Sequence, residues 1–126
     1  ILIDAEDAAF LRELNKEYPA ARRDVFPSYG MRGGCGVLKK CFHISQFGDV
    51  FPCLFMHITI GNVFEDSLKT IVDRGMTIKY FKDFSPICLT GENHAFIKKY
   101  MSRFYGKPLP VDYRDIFTEE DDFIRE

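Results

Sequence analysis

Several things are missing from this 126-residue chain. It has no tryptophan, no C-x2-C pair and no run of 18 consecutive apolar residues. The last absence argues against a membrane-spanning helix, so no membrane is expected as a partner. An excess of positive charge is missing too: 17 Lys and Arg face 19 Asp and Glu, for a net charge of −2. Without a basic stripe, nucleic acid is not the default partner. The chain is too short for a (β/α)8 barrel, which takes about 200 residues or more. No G-x-S-x-G, P-loop or H-E-x-x-H pattern occurs, so none of those chemistries has its residues here. There is no basic segment followed by an apolar one of signal-peptide type. The reading that follows is a cytoplasmic location, where reduced cysteines serve metals or redox chemistry more often than disulfides. The chain opens at Ile1, and it reads as a portion of a longer polypeptide.

What is present can build a core. Hydrophobic residues make up 46%, with 13 Phe and 6 Tyr. Asp4 can cap a helix over residues 5–18, where Phe10, Leu11, Leu14 and Tyr18 recur at helical spacing before Pro19. Residues 19–34 read as an irregular linker. Residues 41–53, CFHISQFGDVFPC, read as a β-hairpin with its turn at Phe47-Gly48-Asp49 and its end at Pro52. A further extended run is expected from Phe55 to Ile60. Ser67 can then cap a helix with Leu68, Ile71 and Val72 inward, ending at Gly75. A short helical piece follows within 76–84. Asn93 can cap a last helix that buries Phe96, Ile97, Tyr100, Met101 and Phe104 and stops at Gly106. That stripe reads as core, not as a platform for stacked bases. Residues 111–126 carry seven acids and two bases. They read as a solvated end or a strap, with Thr118 capping one turn. The fold class expected is α+β, with a small antiparallel hairpin at its centre and short helices around a metal site.

The four cysteines carry the chemical information. They stand as Cys35-x5-Cys41-x11-Cys53-x34-Cys88. Zinc fingers and ribbons use tighter pairs, because a short turn aims two thiolates at one ion. The looser spacing suits an iron–sulfur cubane, whose four thiolate ligands sit at separate corners. Gly33-Gly34-Cys35-Gly36 exposes backbone N–H groups that can serve an anionic cofactor, with Arg32, Lys39 and Lys40 nearby. His43 shares a strand face with Cys41 but reads as structural, as do His57 and His94. Asp49 reads as a turn residue. Four thiols also leave a structural zinc-binding or interaction module as the alternative, and a free-standing ferredoxin-like carrier as a further rival. The apolar area of residues 32–90 reads as small, so bound metal is expected to contribute folding energy.

The stretch RGGCGVLKKCFHISQFGDVFPCLFMHITIGNVFEDSLKTI resembles the auxiliary-cluster region of radical SAM enzymes, the SPASM and twitch group. The matching signature is a Cys, about a dozen residues, then G-x4-C; here it is Cys35-x12-Gly48-x4-Cys53, followed by Gly61-Asn62-Val63 and a helix. The radical SAM motif C-x3-C-x2-C is absent, as is the second SPASM run C-x2-C-x5-C-x3-C. The resemblance therefore implies one 4Fe-4S cluster held by Cys35, Cys41, Cys53 and Cys88, in a twitch-like or shortened domain. Cleavage of S-adenosylmethionine would belong to a barrel in the same full-length chain. It implies three parts: residues 1–30 as helix and linker from the barrel, 31–106 as the auxiliary cluster domain, and 107–126 as an acidic tail. No catalytic residue is expected in the chain. As a non-catalytic part of an oxidoreductase acting on a peptide or small molecule, it would relay electrons or shape the substrate site.

Overall fold

Asp4 starts the first helix. In the computed structural model, which describes residues 4–20, 34–83 and 85–121, its carboxylate accepts from the N–H groups of Glu6 and Asp7, and Asp7 accepts from the Asp4 N–H. This reciprocal box satisfies N–H groups that α1 (Ala5–Glu17) leaves unpaired. The apolar face is less buried than its spacing implies. Leu11 and Leu14 are half-buried, while Phe10 and Tyr18 are exposed. Most of the expected linker, with Arg32 and Gly33, lies outside the described residues, as do Phe84 and 122–126.

The hairpin forms where expected. β1 (His43–Ile44) pairs antiparallel with β2 (Val50–Phe51), His43 opposite Phe51 and Ile44 opposite Val50. Ser45 Oγ accepts from the N–H groups of Phe47 and Asp49 at 3.1 and 3.2 Å, which folds the turn back on itself. Asn62 closes it from outside: its Nδ2 donates to the Phe47 carbonyl at 2.8 Å and to Asp49 Oδ1 at 3.2 Å. The free edge of β2 is covered as well. The Val50 N–H donates to Gly61 and the Ile60 N–H to Val50, at 2.8 and 2.9 Å. Gly48 has a φ of +85°, and a Cβ there would lie 2.5 Å from Asn62 Oδ1 and 2.6 Å from the Phe64 ring. Both the backbone and the space reject a side chain. Gly48→Ala is expected to cost about 1–3 kcal/mol. A denaturant melt checks this; an unchanged midpoint would mean that the turn yields freely.

The next strand is shorter than its sequence implies. β3 covers only Ile58–Thr59, and Leu54 and Phe55 stand exposed in a turn. Its partner comes from far along the chain: β4 (Val111–Asp112) runs parallel to it, Ile58 opposite Val111. The crossover contains α2 (Leu68–Gly75), α3 (Lys79–Lys82) and α4 (His94–Lys99). Ser67 caps α2 by accepting from the Thr70 N–H, and Asn93 caps α4 by accepting from the Phe96 N–H. Ile71 is buried in α2, but Leu68 faces outward. The last helix does not continue to Gly106. It tightens after Tyr100 into a 3-10 turn, Met101–Phe104, with the Arg103 N–H donating to the Tyr100 carbonyl.

One core joins these pieces. Val37, Leu38, Val50, Met56, Ile58, Ile60, Ile71, Ile78, Phe81 and Leu89 are all buried in it, together with Phe96, Tyr100 and Phe104. Residues 32–90 thus hold more apolar burial than their sequence suggests. The solvated tail is also corrected. Val111, Tyr113, Ile116 and Phe117 are buried in the same core. Phe117 meets Tyr100 at a tilt, 5.0 Å between ring centroids, and Phe81 edge-on, 5.5 Å away. Asp121, 2% exposed, accepts from the Tyr100 hydroxyl, from Lys99 Nζ at 3.3 Å and from the Thr118 N–H at 2.9 Å. Burial alone would raise its carboxyl; these donors outweigh that and hold it below the usual carboxylate range. Thr118 therefore serves the turn as a donor to Asp121, the reverse of a cap. Among the described residues, no helix is long and apolar enough to cross a membrane.

Candidate metal centre

Two backbone hydrogen bonds assemble the cysteine-bearing segments. The Cys35 N–H donates to the Ser85 carbonyl at 2.7 Å, which lays the first cysteine beside the segment leading to Cys88. The Leu38 N–H donates to the Pro52 carbonyl at 3.1 Å, which lays the same loop beside the residue before Cys53. Between Cys35 and Cys41 the loop closes on Gly36, whose carbonyl accepts from the N–H groups of Lys40 and Cys41. Leu38 holds a left-handed φ of +57° in this loop, a conformation costing a branched residue about 1–2 kcal/mol. Its buried side chain meets α2, where Gly75 leaves room: a Cβ there would stand 2.5 Å from Leu38 Cδ2. The Cys35–Cys41 loop is therefore braced by the hairpin on one side and α2 on the other. Lys39, expected to balance cofactor charge, donates from Nζ to the Asp83 carbonyl at 2.7 Å and ties the loop to the end of α3.

All four cysteines are free thiols, Cys35 and Cys88 buried, Cys53 half-buried and Cys41 exposed. They sense one another. Burial pushes the Cys53 thiol up to about 11, against the pull of the Phe55 N–H, and the charges of Cys88, Cys41 and Cys35 push the same way. Burial and Cys35 raise Cys41. Burial and Cys35 raise Cys88, opposed by donors from Thr90 and Gly91. Four thiols gathered this way resist ionising together unless a cation joins them. That is the donor set a metal–sulfur core requires, since the thiolate is the ligand. Among the described residues, no three His, Cys, Asp or Glu side chains converge to hold one metal ion.

The fourth cysteine sits in a built turn. The Cys88 carbonyl accepts from the N–H groups of Glu92 and Asn93 at 3.0 and 2.9 Å, and the Cys88 N–H donates to Glu92 Oε2 at 2.8 Å. Thr90 Oγ1 lies 3.5 Å from the sulfur. The cysteine pattern does not point to Thr90, Gly91 or Glu92. The available sign was the Thr90-Gly91 pair just after a cysteine, a small-residue turn able to aim N–H groups at sulfur.

The other candidates fall elsewhere. His43 is half-buried in β1, His57 is exposed just before β3, and His94 is exposed at the start of α4. Asp49 holds the Asn62 amide and lines a cleft of about 650 Å3 with Asp66, Arg74, Asp112 and Arg114, which no cysteine lines. The aromatic stripe is core, with Phe96 and Tyr100 almost wholly buried.

Comparison with known families agrees with this geometry. Residues 35–98, just over half of the chain, match SPASM, described as an iron-sulfur cluster-binding domain. No curated protein and no solved structure matched. The matched span begins at Cys35 and encloses all four cysteines together with the loop, hairpin and turn that gather them. This chain belongs to the SPASM family of iron-sulfur cluster-binding domains.

Proposed function

We propose that the chain holds one 4Fe-4S cluster through Cys35, Cys41, Cys53 and Cys88, and that it serves as the auxiliary domain of a radical SAM enzyme. The observation that carries this reading is that four free thiols stand on a loop, a hairpin end and a turn that the Cys35–Ser85 and Leu38–Pro52 backbone bonds bring together. The family match supports the cofactor class. Four protein thiolates would leave no open iron, so the bound group would supply one-electron transfer, not Lewis acidity. The chain's own residues would gather the thiolates, keep water from Cys35 and Cys88, and direct the N–H groups of Phe55, Thr90 and Gly91 at sulfur. Electron relay and shaping of the substrate site are the two roles open to such a domain.

The same reading places cleavage of S-adenosylmethionine in a barrel elsewhere in the polypeptide, since C-x3-C-x2-C is missing here. Exposed Phe47, Leu54, Phe55 and Phe64 around the hairpin support contact with such a partner. The substrate would be a peptide or small molecule, and the setting cytoplasmic. Anaerobic reconstitution with iron and sulfide is expected to load about four irons per chain, with the broad visible absorption of a cubane. A colourless protein holding one zinc under those conditions would overturn the reading in favour of a structural zinc module.

A further inference from the structure

We propose that Glu92 is a positioning residue for Cys88, and that through Arg12 it couples helix α1 to the cluster-binding loop; this rests on the reading of Cys88 as a ligand. The Glu92 side chain is 4% exposed, yet both of its oxygens are used. Oε2 accepts from the Cys88 N–H at 2.8 Å. Oε1 accepts from Arg12 Nη1 at 3.1 Å, across 80 residues of chain. A buried carboxylate is costly unless it is paired and hydrogen-bonded, and this one is both. The placement has a consequence for the ligand. The Cys88 N–H goes to Glu92, and the Cys88 carbonyl goes to the N–H groups of Glu92 and Asn93. With its backbone held at both ends, the residue keeps its sulfur where Thr90 and Gly91 meet it. Groups that orient a metal ligand in this way typically govern affinity tenfold to a hundredfold.

The pair also acts as charge. Glu92 puts an anion against the backbone of a cluster ligand, and Arg12 balances it from α1. Removing the anion favours the reduced, more negative cluster. Removing the cation disfavours it. A role confined to docking α1 would weaken the protein in both cases and would not move the potential in opposite directions.

The experiment uses the anaerobically reconstituted chain at pH 8 and the variants Glu92→Gln, Arg12→Met, Glu92→Ala and Cys88→Ala. Three readouts apply: iron content, rate of iron loss to a chelator, and cluster midpoint potential. Glu92→Gln can still accept from the Cys88 N–H and is expected to keep its iron with a raised potential. Arg12→Met is expected to keep its iron with a lowered potential, and α1 should exchange its amide hydrogens faster in both. Glu92→Ala is expected to lose iron about tenfold faster or more; if it does not fold, the Gln and Met variants carry the test. Potentials that match the wild type, or that shift in one common direction, overturn the proposal. If Cys88→Ala retains the full iron content, Cys88 is not a ligand, and the proposal falls with that assignment. If Cys88→Ala loses iron while the Glu92 and Arg12 variants behave as wild type, only the positioning role is wrong.

Discussion

Replacing Cys53 with alanine is expected to reduce iron loading from about four per chain to a small fraction of that. Cys53 is chosen because its thiol, raised first by burial and then by the charges of the three other cysteines, stands at the end of the hairpin. It also follows Pro52, whose carbonyl receives the Leu38 N–H from the Cys35–Cys41 loop. The substitution removes a sulfur without removing what holds the hairpin. The bonds from Asn62, Ser45 and the 60–63 segment are made by other residues. The side chain is only half-buried, so apo Cys53→Ala should melt within about 1–2 kcal/mol of the apo wild type. The comparison then isolates ligation from folding.

The same variant separates the two halves of the proposed enzyme. In the proposed full-length enzyme, reductive cleavage of S-adenosylmethionine should persist, because its cluster would lie in the barrel. Conversion of the true substrate should fall about tenfold or more, since relay or substrate placement would be lost. A folded Cys53→Ala enzyme that converts substrate at the wild-type rate would show both roles to be wrong and leave the cluster a structural element.

Local signals were legible in the sequence wherever one short segment carries its own instruction. Asp4, Ser67 and Asn93 each announce a helix start, and each accepts the N–H groups that a cap must satisfy. The hairpin announces itself through its turn, because Gly48 has no room for a side chain. What escaped is nonlocal. A two-residue strand such as β4 has no alternation to read, and its partner β3 lies some fifty residues earlier. Glu92 carries no local signal, because nothing near it in sequence reveals Arg12. Acidic composition also misled at the C-terminal end. Charged residues there alternate with Val111, Tyr113, Ile116 and Phe117, and the apolar members decide the packing. Cys88 illustrates both sides. Its residue type suggests a ligand, but its place beside Cys35 is set by nonlocal bonds, from Cys35 to Ser85 and from Lys39 to Asp83.

Ending the chain at Gly106, where the helical pattern stops, is expected to abolish cooperative folding. The deletion removes Val111, Tyr113, Ile116 and Phe117 from the core. Burying a large apolar side chain contributes about 1.5–3 kcal/mol, so the four together amount to about 6–12 kcal/mol. Total stabilities of such domains are about 5–15 kcal/mol, and a loss of that size leaves little or nothing. The damage reaches further than area. Tyr100 would lose its acceptor Asp121 and its neighbouring ring Phe117, and β3 would lose its only paired strand among the described residues. Arg103 would lose the Ile116 carbonyl to which it donates at 2.6 Å. The structural unit that supports the metal centre would then run through Asp121 rather than stop at 106. A thermal melt of chains ending at 106 and at 121, followed by circular dichroism, checks this. The longer chain should melt in one sharp transition and the shorter one should show none. A chain ending at 106 that melts cooperatively and still loads about four irons would make residues 107–126 the dispensable tail that their acidity suggests.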